Sequence, residues 1–463
     1  MRPPSFVVIV TDQQRERAHW PAHVSTPAFE SLRARGVSFA RAYTPSALCT
    51  PARAALFTGY HASAVGMDDN VNFPWQGSLS RAVPTLGTRL AALGYRVGYL
   101  GKWHLTRASH FDAAALAHHG FRDWVGPDTQ GAPNAGLRDD PRIADQAAAW
   151  ISARKRDDAP FCLVVSFVNP HDIMYSPRVR RPTRDDHRAP APSTLTESLD
   201  EKPTIQRRFR VIENVVAGFV GRWPAPPWQE FFDAYVDYHL AVDRCVAKVL
   251  DALDAPSLRE RATVVYTSDH GELAGAHGLR GKGPVMYDEN SRVPLVWSAP
   301  GRLPEGAVTE GLHASIDLIP TLLSQAGAPR EALADLPGVN QSATLADPSH
   351  RSRDAVLFVY RARSTLGVPW SRAQGWLLGR FDGRHKFARY HSQQVEPFGP
   401  DAATNQCEHE LYDLASDPDE THNIASNLSE SDLAHHAAEL EALARRERAW
   451  PPAQVARARM DSP

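Results

Sequence analysis

Four cysteines are scattered through the 463 residues, and one of them, Cys49, stands where a thiol can react. It opens the segment Cys49-Thr50-Pro51-Ala52-Arg53-Ala54-Ala55-Leu56-Phe57-Thr58-Gly59. Thr50 suits a helix N-cap, Pro51 the first helical position and Gly59 the stop, so the spacing predicts a short helix with Cys49 just ahead of its N-terminus. Free N–H groups and the helix dipole favour an anion there. A thiol so placed is a candidate low-pKa nucleophile or redox group. A buried, inert cysteine is the plain structural alternative.

Other chemically capable residues follow short apolar runs. Asp12 and Gln13 come after residues 7–10, Lys102 and His104 after 97–100, Asn169 and His171 after 161–168, and Asp269 and His270 after 263–267. Taken singly, an aspartate after a strand is commonly a turn or cap residue, and a histidine there is commonly a hydrogen-bonded surface group. Delivery of such residues at the same relative place by four strands points to convergence on one site. Lys102 and His104 are two residues apart, so strand alternation turns them the same way.

The elements that must position these groups are legible in outline. The four runs, with a fifth at 293–297, alternate with amphipathic stretches. That pattern predicts an α/β fold with a large, mixed, mostly parallel sheet flanked by helices, and chemistry at the carboxyl ends of its strands. Residues 1–345 are read as the catalytic domain. Within it, 175–230 turns proline-rich and charged, with Arg178-Val179-Arg180-Arg181-Pro182, and reads as a long excursion over the active face or as a disordered segment. New strand-like runs at 355–360, 375–378 and 386–390, with a helical pattern at 429–446, predict a small α+β domain over 346–440. The Arg- and Ala-rich tail, 441–463, is expected to pack against a neighbouring subunit of a homo-oligomer. No internal repeat is found.

Composition narrows the partners. Lys plus Arg (51) nearly balances Asp plus Glu (53), so no net field draws the chain to nucleic acid or an anionic membrane. A small-molecule substrate is expected. No apolar run is long enough to cross a bilayer, and the first residues lead directly into the run at 6–10, which leaves no room for a signal peptide. With cysteines too few and scattered for a disulfide framework or a zinc pattern, a cytoplasmic, reduced protein is expected.

The segment around Cys49 resembles the type I sulfatase signature Cys-x-Pro-x-Arg, with the leucine and glycine that follow it in that family. Ala52 departs from the serine most members carry. Val7-Val8-Ile9-Val10-Thr11-Asp12-Gln13 resembles the family's N-terminal strand. Tyr266-Thr267-Ser268-Asp269-His270-Gly271-Glu272, running on to His277-Gly278-Leu279-Arg280-Gly281-Lys282 and Tyr287, resembles its second hallmark. Gly101-Lys102-Trp103-His104-Leu105 resembles its lysine and histidine pair, and Asn169-Pro170-His171-Asp172 its Pro-His element. Glu410-Leu411-Tyr412-Asp413-Leu414 and Asp417-Pro418-Asp419-Glu420 resemble the segment closing its C-terminal domain. The resemblance spans residues 6 to about 425. It implies an alkaline phosphatase-like fold and a formylglycine-dependent sulfatase of the alkaline phosphatase superfamily, close to choline-type sulfatases and phosphonate monoester hydrolases.

What the resemblance implies residue by residue is specific. A formylglycine-generating enzyme converts Cys49 to an aldehyde. One hydroxyl of its hydrate attacks sulfur, and the other then expels sulfate from a covalent hemiacetal sulfate. Asp12, Gln13, Cys49, Asp269 and His270 surround one divalent metal. Many arylsulfatases have aspartate where Gln13 stands and asparagine where His270 stands, and bind calcium. An imidazole ligand moves preference to manganese, with calcium or magnesium as alternatives. Arg53 steadies residue 49, Lys102 contacts the sulfuryl oxygens, His104 is the base, and His171 with Lys282 serves the leaving alcohol. His277 is a supporting position.

The runner-up activity is phosphonate monoester or phosphate diester hydrolysis at the same formylglycine. An inactive binding protein on this scaffold, or a thiol protein, is disfavoured because no catalytic position is missing. Asn70, Asn72, Phe73 and Trp75, with Trp223, Trp228, Phe231 and Phe232, either line an aromatic pocket or belong to the core. No aromatic cage for a choline-like cation can be assembled from spacing.

Overall fold

The apolar runs become neighbouring strands of one eight-stranded sheet. The computed structural model describes residues 3–16, 23–126, 128–155, 159–176, 179–183, 187–217, 226–369, 375–392 and 407–449. The strands are β1 (Ser5–Asp12), β2 (Gly36–Tyr43), β3 (Arg96–Gly101), β4 (Asp123–Val125), β5 (Phe161–Pro170), β6 (Ala262–Ser268), β7 (Leu295–Ser298) and β8 (Ala307–Ala314). Their order is β4-β3-β5-β1-β6-β7-β2-β8. The first five in that order run parallel to one another. β7 is antiparallel to β6 and β2, and β2 pairs parallel with β8. The sheet is mixed and mostly parallel, as the alternation of runs predicts.

The central strands are apolar at nearly every position because both faces are covered. β1 is buried throughout. Its Phe6, Val8 and Val10 enter one core with Leu56 and Phe57 of helix Cys49–Thr58. Val7 and Ile9 enter the opposite core with helices Ala135–Ser152 and Pro226–Leu253. Each buried aliphatic side chain contributes about 1.5–3 kcal/mol. A charge at Val8 would lose that and bury an unpaired ion. β2 and β8 lack an uninterrupted apolar run, and the sequence reading passes over both. β8 is the sheet edge, and exposed residues interrupt its first half.

A second, four-stranded antiparallel sheet has the order β14-β13-β12-β9. It is built from β9 (Val356–Tyr360), β12 (Trp376–Phe381), β13 (His385–His391) and β14 (Glu408–Asp413), and a short hairpin, β10 (Ser364–Thr365) with β11 (Val368–Pro369), rises between β9 and β12. One face packs on Tyr43, Leu48 and Ala55 of the large body. The other is covered by Leu440 and Leu443 of helix Glu430–Arg446.

That helix runs on to Arg446, past position 441, where the tail is expected to begin. Beyond it, Glu447 pairs with His61 at 2.7 Å and with Arg353, which also holds Asp317. Residues 441–449 therefore pack on this chain's own body, and 450–463 lie outside the described residues. Within 175–230, helix Thr204–Ala217 seats Ile205 and Phe209 in the core shared with the small sheet. Ordered helix thus replaces part of the expected excursion. Arg178 and Trp223 lie outside the described residues. Among the described residues no helix is long and apolar enough to cross a membrane.

Candidate active site

The four strands that carry the candidate residues, β3, β5, β1 and β6, are consecutive in the sheet. Their carboxyl ends lie level: Asp12 is opposite Pro170, Thr11 opposite Ser268, and Gly101 opposite Ser166. The chain bends sharply after them, with φ of 69° at Gln13 and 56° at His104, a region that side-chain-bearing residues seldom occupy. At His104 the bend is held by Asp128, whose carboxylate accepts the backbone N–H groups of Trp103 and His104, each at 3.1 Å.

Helix Cys49–Thr58 is buried over its whole length, and it begins earlier than its sequence predicts. Leu48, not Thr50, is the N-cap, and its carbonyl accepts the Ala52 N–H at 2.9 Å. Cys49 is the first helical residue rather than the one ahead of the helix. The reason is tertiary: the Thr50 hydroxyl donates to the His104 carbonyl at 2.7 Å, while Asn70 Oδ1 accepts the Thr50 N–H at 3.0 Å. Capping comes from a loop twenty residues on in place of the local hydroxyl. Gly59, at φ 74°, ends the helix as expected.

At the head of this helix, Cys49 Sγ lies 3.2 Å from His270 Nε2 and 3.8 Å from Asp12 Oδ1. Ligand atoms of Asp12, Cys49, Asp269 and His270 all fall within 4.8 Å of one another, and all four residues are buried. His270 Nδ1 is 2.9 Å from the Gly271 carbonyl. A carbonyl only accepts, so Nδ1 carries a hydrogen and Nε2, once deprotonated, turns its lone pair to the cluster. Burial acts against the imidazolium, but Asp269 raises its pKa, so without an ion the ring favours its charged form. Two carboxylates and an imidazole lone pair fit one divalent cation with mixed oxygen and nitrogen ligands. The Gln13 amide donates to Glu272, its carbonyl accepts from Lys282 Nζ, and its backbone N–H donates to Asp269 Oδ1 at 3.1 Å.

Arg53 lies beneath the cluster, fully buried, with all three guanidinium nitrogens bonded. It reaches Asp12 at 2.8 Å, Asp269 at 3.0 Å, the Lys102 carbonyl at 2.7 Å and Ser166 Oγ at 2.9 Å. Lys102 Nζ is 2.6 Å from Asp12. Burial alone would raise the Asp12 carboxyl, but Lys102, with Arg53 and His270, holds it well below the usual range. Burial and the neighbouring Asp12 raise Asp269. Burial and Asp12 act to raise the Cys49 thiol, yet Lys102, Lys282 and His270 leave it lowered.

Burial, with Lys102 and Arg53, pushes His104 well below its ordinary pKa; burial, with Lys282 and Lys102, does the same to His171. Both imidazoles therefore stand neutral. Neither ring nitrogen of His104 has a hydrogen-bond partner, nor does His171 Nδ1. A neutral His104 suits a base. His171 lacks the extra proton that an acid needs, and an incoming anion would favour its gain.

Gln13, Cys49, His104, His171 and Lys282 line one cleft of about 300 Å³. Of the candidate pocket residues, Asn70, Asn72 and Phe73 line it. Trp75 stacks on Phe73 at 5.0 Å and donates to Asp69 at 2.8 Å. Trp228, Phe231 and Phe232 belong to a separate core cluster with Tyr235 and Tyr238. His277 stacks on Tyr287 at 3.6 Å and bonds Glu197 at 2.6 Å, a packing role. The sequence reading assigned no role to Asp128, Glu272, Glu213, Tyr175, Ser364 or Thr365. Glu272 alone had a signal, standing three residues after Asp269.

Residues 4–328 match the family model described as Sulfatase. The uncharacterized sulfatase YidJ of Escherichia coli (strain K12) is 28% identical, with 94% of this chain and 85% of that protein covered. Among solved structures, BT4656 in complex with D-glucosamine-2-N,6-O-disulfate matches with a TM-score of 0.75 at 19% identity, over 96% of this chain and 98% of that one. The phosphonate monoester hydrolase of Agrobacterium radiobacter matches with a TM-score of 0.69 at 21% identity, over 96% of each. The two structural likenesses carry the fold, and the match across residues 4–328 carries the family: this chain belongs to the sulfatases and is a sulfuric ester hydrolase.

Proposed function

We propose that the chain hydrolyses a sulfate ester with residue 49 as formylglycine beside one divalent metal, manganese in preference to calcium or magnesium. The observation that carries this reading is the position of Cys49 at the head of a buried helix, 3.2 Å from His270 and 3.8 Å from Asp12, with Arg53 beneath. Asp12, Asp269 and His270, with Gln13 and residue 49, would hold the ion. The two groups supply a hydroxyl nucleophile for sulfur, a second hydroxyl whose deprotonation releases sulfate, and a cation that makes the first acidic.

The chain's own side chains handle charge and protons. Lys102 and Lys282 face the sulfuryl oxygens and stabilise the charge that grows on them. Burial opposes the Lys282 cation, but beside the Cys49 thiol the carboxylates of Asp12, Asp269 and Glu272, which conversion leaves in place, raise its pKa, so it stays charged. His104, neutral and unpartnered, takes the proton whose loss frees sulfate. His171, beside Lys282, protonates the departing alcohol once the anionic substrate has favoured its charged form. Arg53 keeps Asp12 and Asp269 ionised and aimed at the ion.

A second reading, phosphonate monoester or phosphate diester hydrolysis at the same residue, is favoured by the likeness to the Agrobacterium enzyme. The test is co-expression with a formylglycine-generating enzyme, followed by peptide mass analysis at residue 49. Sulfate esters, phosphonates and phosphate diesters are then assayed on one converted preparation. A peptide lighter by about one water, with sulfate esters preferred, is expected. Activity that survives Cys49→Ala would sink the mechanism.

A further inference from the structure

The cleft lined by Cys49 is also lined by Ser364, Thr365 and Leu366 of the β10–β11 hairpin and by Glu213 of helix Thr204–Ala217. The β10–β11 hairpin pairs Ser364 with Pro369 and Thr365 with Val368, which leaves Leu366 and Gly367 as a two-residue turn. Both have positive φ, 47° and 81°, the geometry of a turn that ordinarily takes Asn or Gly at its first position. A leucine there is strained, and strain of this kind gathers at ligand sites. Leu366 lines the cleft.

Two further observations are independent of the turn. Ser364 lines the same cleft at 2% exposure, and its hydroxyl has no hydrogen-bond partner. Buried polar atoms are almost always bonded, so an orphan on a residue that lines a cleft marks a place for a ligand's polar group. Glu213, also lining the cleft, accepts from Thr365 Oγ1 at 3.2 Å. The turn lies against Phe73: a Cβ on Gly367 would sit 3.6 Å from that ring.

We infer that Ser364, Leu366 and Glu213 form the subsite for the departing alcohol, and that this alcohol is hydroxyl-rich, a sugar or polyol in place of a plain alkyl or aryl alcohol. The inference rests on the sulfate-ester reading above. Ser364 can donate to or accept from a hydroxyl, and Glu213 accepts from one. Leu366 and Phe73 offer apolar contact to the C–H face of a ring. Among the described residues that line the cleft, only Phe73 and Tyr175 bring large aromatic side chains.

The test compares kcat/KM of the converted, metal-loaded full chain for glucose 6-sulfate and for hexyl sulfate, which matches it in carbon number without the hydroxyls. p-Nitrophenyl sulfate and a phenyl phosphonate ester serve as references. The wild type should prefer glucose 6-sulfate at least about tenfold, and Ser364→Ala should lower that ratio about tenfold. Leu366→Gly relieves the strained turn, so it should raise the melting temperature while lowering the same ratio. A wild type indifferent between the two esters, or variants whose ratio moves less than about twofold while p-nitrophenyl sulfate is turned over, would overturn the subsite. An enzyme that cleaves only the phosphonate ester would instead remove the sulfate reading on which the subsite stands.

Discussion

Arg53 Nη2 lies 2.8 Å from Asp12 Oδ2, and neither side chain has any solvent exposure. The same guanidinium holds Asp269, so one cation answers two buried carboxylates. Arg53→Met should destabilise the fold by about 3–5 kcal/mol, because truncating one partner of a buried pair leaves the other charge uncompensated. Urea unfolding at neutral pH measures this. A loss below about 1 kcal/mol would mean that Lys102 alone suffices for Asp12.

The two neutral histidines should separate kinetically. His104→Ala should release one equivalent of alcohol and then stall, since the remaining hydroxyl keeps its proton. A sulfated residue 49 peptide would be found by mass analysis. His171→Ala should lose most with alkyl sulfates and least with p-nitrophenyl sulfate, whose leaving group departs unaided. Equal slowing of every substrate by both variants, without a sulfated peptide, would undo this division of labour.

His270 presents a nitrogen lone pair where an amide oxygen would favour calcium. His270→Asn should shift the metal recovered from purified protein towards calcium and lower manganese content at least about tenfold, irrespective of turnover. Elemental analysis of protein prepared without chelator gives the ratio. Manganese content equal to that of the wild type would place the imidazole outside the coordination sphere.

Glu213 links the cleft to stability. Burial, only partly offset by Arg280, raises its carboxyl to about 7, so between the unfolded value near 4.5 and pH 7 the native state binds more protons than the unfolded one. Stability from this group therefore falls as pH rises through that window. Glu213→Gln keeps an acceptor for Thr365 and removes the charge. It should stabilise the protein at pH 8 by up to about 3 kcal/mol and make little difference at pH 4.5. Denaturant midpoints at the two pH values decide it, and a gain of equal size at both would indicate packing instead.

The strands that carry the site were legible because burial on both faces writes them as unbroken apolar runs. β1, β3, β5 and β6 occupy adjacent places in the sheet, so finding the runs meant finding the site's frame. β2 and the edge strand β8 carry mixed residues and left no such trace. The cap of helix Cys49–Thr58 departs from the local rules for a different reason. Local rules favour Thr50, but its hydroxyl is drawn to His104 and its N–H is served by Asn70. Ser364, Glu213 and Asp128 reach the site from a hairpin, a helix and a loop well separated in the chain from the residues they serve, and no spacing rule reaches that far. Trp228 and Phe231 show the converse: aromatic type alone does not distinguish a cleft from a core.

The complete burial of residues 49–58 also sets a timetable. Cys49 is 1% exposed in the folded chain, so another enzyme cannot take this peptide into its own active site unless the helix is pulled out. The proposed conversion therefore belongs to the chain before it folds. β6 follows roughly two hundred residues after Cys49, and at about 5–20 residues per second its synthesis lags by about 10–40 s. The Glu447 fastening to His61 and Arg353 is completed later still. On the proposed reading, protein that has folded with an unconverted thiol should be beyond rescue by modifying enzyme added afterwards, and the active fraction of a preparation is set before this helix is buried.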